Sequence, residues 1–137
     1  MIAQTQCTSF KSELYQGVHN LLTDNIYIAL YTSRATLDQS TTVYTTTGEV
    51  SDVAYTTGGQ LLTGVTVNSS GYTAYVSFNN PSWSGAITAR GALIYNRSKG
   101  NKAIAVLDFG ADKTSTMTFT VTLPANTADS ALIRSSN

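Results

Sequence analysis

Charge is scarce in this chain. Only 12% of its residues are Asp, Glu, Lys or Arg, eight acidic against eight basic, and the formal net charge is zero. Neither sign forms a long run, which speaks against nucleic-acid binding, because that affinity comes from clustered Lys and Arg on phosphates. Cys7 is the one cysteine, so no internal disulfide can form and an inert thiol is expected. His19 is the one histidine, and with Cys7 it leaves zinc short of ligands. No stretch reaches the ~18 consecutive apolar residues of a membrane span, so no membrane partner is expected. The opening MIAQTQCTSFK has neither a basic start nor an apolar core and does not read as a signal peptide. Synthesis in a cytoplasm is expected, with any exit by a route that needs no signal.

What the chain has instead is Ser and Thr, 37 together, and eight tyrosines. That mixture suits half-buried sheet faces and contact surfaces better than helical bundles. At 137 residues a single domain, 1–137, can bury roughly two thirds of its unfolded surface, enough for a core without metal or disulfide.

The organising stretch is Ala86–Gly110. Two β-branched, apolar runs, Ile87–Asn96 and Ala103–Phe109, flank the polar Arg97–Lys102 and read as a hairpin. Both alternating faces of each arm are largely apolar, so the hairpin is expected to be covered on both sides. Before it, residues 1–8 read as an extended polar arm. Phe10, Leu14, Val18 and Leu21/Leu22 follow helical spacing, with Ser9 as cap and Gly17 as a weak point inside the helix. Asn25–Thr32 reads as a second two-faced strand. Ser33–Gly59 is irregular, with at most a short strand around Thr42–Thr46. A connection of that length with tyrosines in it reads as a loop that orders against a partner.

Further on, Leu61–Val67 and Tyr72–Phe78 read as strands around Asn68–Gly71, with Tyr72, Ala74, Val76 and Phe78 on one face. Residues 79–85 read as a turn that pins Trp83. Thr116–Leu123 alternates, with Met117, Phe119, Val121 and Leu123 expected inward, and Ala131–Arg134 is a candidate last strand. Six to eight short strands without helical crossovers indicate an all-β fold: an antiparallel β-sandwich or jelly-roll-like barrel with one short N-terminal helix.

Several motifs invite chemistry and do not sustain it. Asp108-Phe109-Gly110 copies the metal-binding triplet of protein kinases without the rest of a kinase. His19 falls off the apolar stripe of the expected helix, which predicts an exposed side chain, and no partners for a catalytic triad can be placed beside it. Asp108 and Asp112, with Asp24 and Asp52 elsewhere, lack the dense alternating oxygens of a calcium loop. Gly58-Gly59 has no phosphate-binding pattern around it and reads as a tight approach or positive φ. No catalytic residue, cofactor or metal is expected. A carbohydrate-binding sandwich would need exposed aromatics beside carboxylates, and Trp83 with Asp24 or Asp52 is the thin candidate.

Five segments together resemble a group of small virion structural proteins of tailed bacteriophages: FKSELYQGVHNL, NIYIALYTSRATLDQSTTVYTTTGEV, AYTTGGQLLTGVTV, SFNNPSWSGAITARGALIYNRSKGNKAIAVLDFG and TMTFTVTLPAN. The resemblance spans most of residues 10–125, with YTTGG, ITARGALIYN and LDFG its most specific parts. It implies a non-enzymatic component of the particle, so the expected location is the virion. The role that fits best is a capsid cement or decoration protein, with a neck or tail component as the alternative. Such a role implies the major capsid protein or other virion proteins as partners, and self-association into a small homo-oligomer through an isologous patch. Interfaces are rich in Tyr and poor in charge at their centres, which nominates Tyr44, Val50, Tyr55, Tyr72 and Tyr75.

Overall fold

An antiparallel sheet of five strands forms the middle of the molecule, whose residues 1–136 are described by a computed structural model. In chain order the elements are β1 (Thr5–Gln6), α1 (Thr8–Tyr15), β2 (Ile26–Tyr31), β3 (Gln60–Leu61), β4 (Thr66–Ser70), β5 (Thr73–Ser77), β6 (Ser82–Ser84), β7 (Ile87–Asn96), β8 (Lys102–Ser115), β9 (Thr118–Thr120) and β10 (Ile133–Ser135). The large sheet has the order β1-β8-β7-β2-β3, and two smaller sheets, β10-β5-β4 and β6-β9, pack around it. Every strand ladder is antiparallel. The fold is all-β with one short helix.

The expected hairpin is β7–β8. Its turn is a short 3-10 helix, Arg97–Lys99, begun by the Asn96 side chain accepting from Ser98 N–H at 3.0 Å. Residues opposite one another in an antiparallel ladder share a face. One face of the sheet therefore carries Tyr27, Ala29 and Tyr31 with Tyr95, Leu93 and Gly91, and the other carries Ile26, Ile28 and Leu30 with Asn96, Ile94 and Ala92. All of these but Tyr27 are buried, which is why neither face shows polar alternation.

The first face is covered by residues 33–59, which form a strap rather than a free loop. The strap is anchored on the outer edge of β8, where Tyr44 N–H donates to Asn101 O at 2.9 Å and Ala103 N–H to Thr42 O at 3.0 Å. It is anchored again on the β2 edge, where Thr32 N–H donates to Gly48 O at 2.8 Å and Val50 N–H to Leu30 O at 3.0 Å. At its end Gly59, with φ 79°, passes so close to β2 that any side chain there would collide with the Ile28 carbonyl. The second face is covered by the β10-β5-β4 sheet and by the α1 region. Val76, Phe78, Leu123 and Ile133 line a small cleft with Ile94, and α1 lies against β10 across a groove lined by Lys11, Tyr15 and Arg134.

Several local expectations are corrected. The helix begins after Cys7 rather than at Ser9 and stops at Tyr15. Gly17 lies beyond its end, at φ 72°, with Gly17 N–H on Leu14 O and Val18 N–H on Glu13 O, a Schellman termination. The polar arm is docked, since β1 pairs with β8 and Ile2 is buried beside Leu37. Residues 61–67 do not form one strand but end β3 and begin β4, and of the face that carries Tyr72, Ala74, Val76 and Phe78 the first two are exposed and Phe78 is buried. Trp83 sits buried in a strand, β6, opposite Phe119 of β9. Met117 is 79% exposed, so only Phe119 and Val121 of that alternation are fully inside. Around Thr42–Thr46 the strap makes a single isolated bridge, Val43 with Lys102.

Candidate partner interface

The five nominated residues fall into two groups. Tyr44, Val50 and Tyr55 belong to the strap, and the structure turns them inward. Val50 is 3% exposed and Tyr55 7%, so neither can meet a partner while the strap is in place. The reason lies in Glu49, whose carboxylate gathers the strap around itself. It accepts the Tyr44 hydroxyl at 2.6 Å, the Tyr55 hydroxyl, and the Gly58 N–H at 2.8 Å. The Tyr55 oxygen in turn accepts from Leu30 N–H at 3.1 Å, and the Tyr95 hydroxyl donates to Gly58 O at 2.6 Å. The Tyr44 ring stacks on Tyr95 at 4.6 Å between centroids. Burial, and then the neighbouring Glu49 charge, push the Tyr55, Tyr31 and Tyr44 hydroxyls well above the ordinary tyrosine range, so they remain donors. A sequence rich in Thr and Tyr looks like a contact surface, but here the phenols fasten the chain to itself.

Tyr72 and Tyr75 lie on the β4–β5 hairpin, which is the outward part of the molecule. Every residue of β4 is exposed, and Tyr72, in the two-residue turn with Gly71, is 92% exposed. Tyr75 is half-buried and directly opposite Asn68. The hairpin sits in a segment, Val53 to Ala89, that holds none of the chain's sixteen Asp, Glu, Lys and Arg residues. The surface it presents is neutral and polar, made of Thr66, Asn68 and Ser70 with the half-exposed Val67. Burying such a surface against a partner desolvates no ionised group.

A third cluster was not legible in the sequence. His19, expected outside, has a side chain with no exposed surface. Its Nε2 lies 2.9 Å from Glu13 Oε1 and its Nδ1 lies 2.9 Å from Asn96 Nδ2. Asn96 Oδ1 is held by Ser98 N–H, so its nitrogen is the atom facing His19, and it also donates to Asp24 Oδ2 at 2.8 Å. Two amide hydrogens serve two acceptors. On the other side of the ring Nε2 faces the Glu13 carboxylate, so both ring nitrogens are engaged. Burial alone would raise the Asp24 carboxyl, but the Asn20 N–H, the Asn96 amide and the Lys99 and His19 side chains together hold it below the usual range. The expected exposure of His19 assumed a helix running through Leu22. Once Gly17 ends that helix, residues 18–25 fold back over the end of β7.

The remaining candidates resolve into local structure. Asp108 accepts from Gly110 N–H at 2.9 Å and pairs with Arg90 at 3.2 Å. Trp83 is buried and presents no ring face to solvent, and Asp52, which is exposed, accepts from Thr88 N–H at 2.9 Å. Burial pushes the Cys7 thiol up to about 12, which leaves it unreactive. Among the described residues no group of three or more His, Cys, Asp or Glu is placed to hold a metal ion. Comparison with protein-family models, with curated proteins and with solved structures finds no match for this chain.

Proposed function

We propose that this chain is a structural component of a tailed-bacteriophage particle, and that it acts as a cement protein bridging neighbouring subunits of the major capsid protein. The observation that carries the reading is the charge-free Val53–Ala89 segment, displayed in part as an exposed hairpin on a body locked by its own strap. A cement protein has to bring a rigid, neutral surface to a lattice that already holds its own shape. The double covering of the large sheet supplies the rigidity, and the β4–β5 hairpin supplies the surface. Bound at many sites, such a chain stabilises the assembled shell over free subunits by mass action, without chemistry. The segments that resemble phage virion proteins support the same reading, and they include β7 and β8 as far as Gly110.

Copy number and location in purified virions test it. Hundreds of copies on the shell are expected. Six or twelve copies at the neck or tail would assign the chain to that part of the particle instead, and absence from virions would overturn the proposal.

A further inference from the structure

The five-stranded sheet protects its own edges. β1 and β3 are two residues long, too short to template a foreign strand. The outer edge of β8 beyond β1 carries Asp108, Asp112 and Lys113, and its ladder with β7 loses register between Asp108 and Lys113. In the small sheet, the outer edge of β10 faces the N-terminal arm, whose Gln6 Nε2 donates to Arg134 O at 2.8 Å. The other edge of that sheet is β4, and β4 has none of these devices. It is five residues long and regularly paired with β5, and it has no Lys, Pro or inward charge.

We infer that β4 is the site at which a second copy of this chain adds, strand against antiparallel strand, to make one six-stranded sheet across a two-fold axis. The register follows from the hairpin. A two-residue turn closes on a doubly hydrogen-bonded pair, here Ser70 with Thr73, and alternation makes Asn68 with Tyr75 the next such pair. The N–H and C=O groups of Val67 and Ser69 therefore point away from β5, over an edge that no other described strand occupies. If Val67 of one copy faces Ser69 of the other, both reciprocal pairs form, four backbone hydrogen bonds in all, and Asn68 meets Asn68 on the axis. Each Asn amide can donate to and accept from its twin, flanked by Tyr75 on either side.

Charge selects the occupant. A two-fold contact sets the residue on its axis against its own copy, and this edge lies in a segment that has no charge to repel there. A foreign extended peptide would need recesses for its alternate side chains to be recognised, whereas the exposed Thr66, Asn68 and Ser70 form a shallow polar row. The inference deepens the virion reading by naming the contact behind the small homo-oligomer, and rests on it only for that purpose.

The test is light scattering and sedimentation of the purified full-length chain over a range of concentrations. A reversible dimer is expected for the wild type. Asn68→Lys and Asn68→Asp, each placing like charges on the axis, should be monomeric alone, and an equimolar mixture should recover a one-to-one dimer. Val67→Pro, which removes an outward N–H and leaves the β5 ladder intact, should also lose the dimer. Thermal melts confirm that these exposed-strand variants remain folded. A wild type that stays monomeric up to its solubility limit, a dimer that persists in Asn68→Lys, or charge variants that fail to pair when mixed would each overturn the inference. A β4 dimer missing from virions would sink the virion reading alone, and a monomer abundant in virions would sink the inference alone.

Discussion

Asn96, at the last position of β7, donates one amide hydrogen to His19 and the other to Asp24, 72 residues earlier in the chain. It is the pin that holds the α1 turn region against the large sheet. Asn96→Ala would leave the buried His19 Nδ1 without its partner, at a cost of about 1–3 kcal/mol, and would take one bond each from Asp24, which keeps Asn20 N–H, and from the exposed Ser98 N–H. His19→Ala should cost less, because Asn96 retains Asp24, and it should leave particle assembly intact. Chemical denaturation of the two variants checks the order. Equal stability for Asn96→Ala and wild type would mean the network contributes nothing.

Leu93 and Ile104 sit fully buried in the adjacent strands β7 and β8. Leu93→Ala and Ile104→Ala are each expected to lose roughly 2–5 kcal/mol, the usual range for emptying a packed aliphatic site. Melting temperatures near wild type for both would contradict the covering of the sheet on its two sides.

The strap should be protected in the isolated protein. Hydrogen exchange at the Tyr44 and Val50 amides is expected to be slow, like that of β7, because Val50 donates to Leu30 O of β2 and Tyr44 to Asn101 O at the start of β8. Tyr55→Phe removes the hydroxyl that joins Glu49 to Leu30 N–H and should lower the melting temperature, with a loss of about 1–3 kcal/mol. Fast exchange throughout 33–59 in the free chain would return the segment to the role of a loop ordered by its partner.

Acid and base should act on different parts of the molecule. The Asp24, Asp38 and Asp108 carboxyls are held below their ordinary values, the first and third by the contacts described above and Asp38 chiefly by the Ser40 hydroxyl and N–H. A group with a depressed folded pKa contributes its stability above the unfolded value of about 3.9 and loses it as pH falls further. Stability should therefore decline below about pH 4, less steeply in Asp24→Asn. The tyrosines have the opposite sign. Raised in the fold, Tyr31, Tyr44 and Tyr55 contribute fully below about pH 10, and that contribution is lost as pH climbs past it. Denaturation midpoints across pH, with phenolate absorbance at the alkaline end, check both.

The β7–β8 hairpin could be read from the chain because burial on two faces leaves an unbroken apolar signature that nothing else imitates. β8 extends past that signature to Ser115, and Lys113–Ser115 resume the ladder with β7 through backbone pairing that their polar side chains do not announce. The strap was misjudged for a related reason. Its anchors are main-chain hydrogen bonds and phenol hydroxyls on Glu49, and neither produces periodicity. Met117 failed where alternation was followed past the end of β9, because a period of two says which residues share a face but not how far the cover over that face extends. Of the nominated contact residues, Tyr72 stands on the outside, while Val50 and Tyr55 are used inside.

The pairing of Thr5 and Gln6 with Val106 and Ala105 has a temporal consequence. During synthesis β1 must wait for about a hundred further residues to be made before its neighbour exists. Meanwhile β2 lacks β7, its main partner, since Ile26–Tyr31 pairs with Gly91–Asn96. The sheet therefore cannot grow outward from the N-terminus as the chain emerges. The pairing expected to form first is β7–β8, whose two arms are joined by a short turn, with β2 and the arm recruited from sequence already made. Until that moment the two-faced β2 is an uncovered apolar strand, and the interval between its emergence and that of β7 is when the nascent chain is most exposed to aggregation.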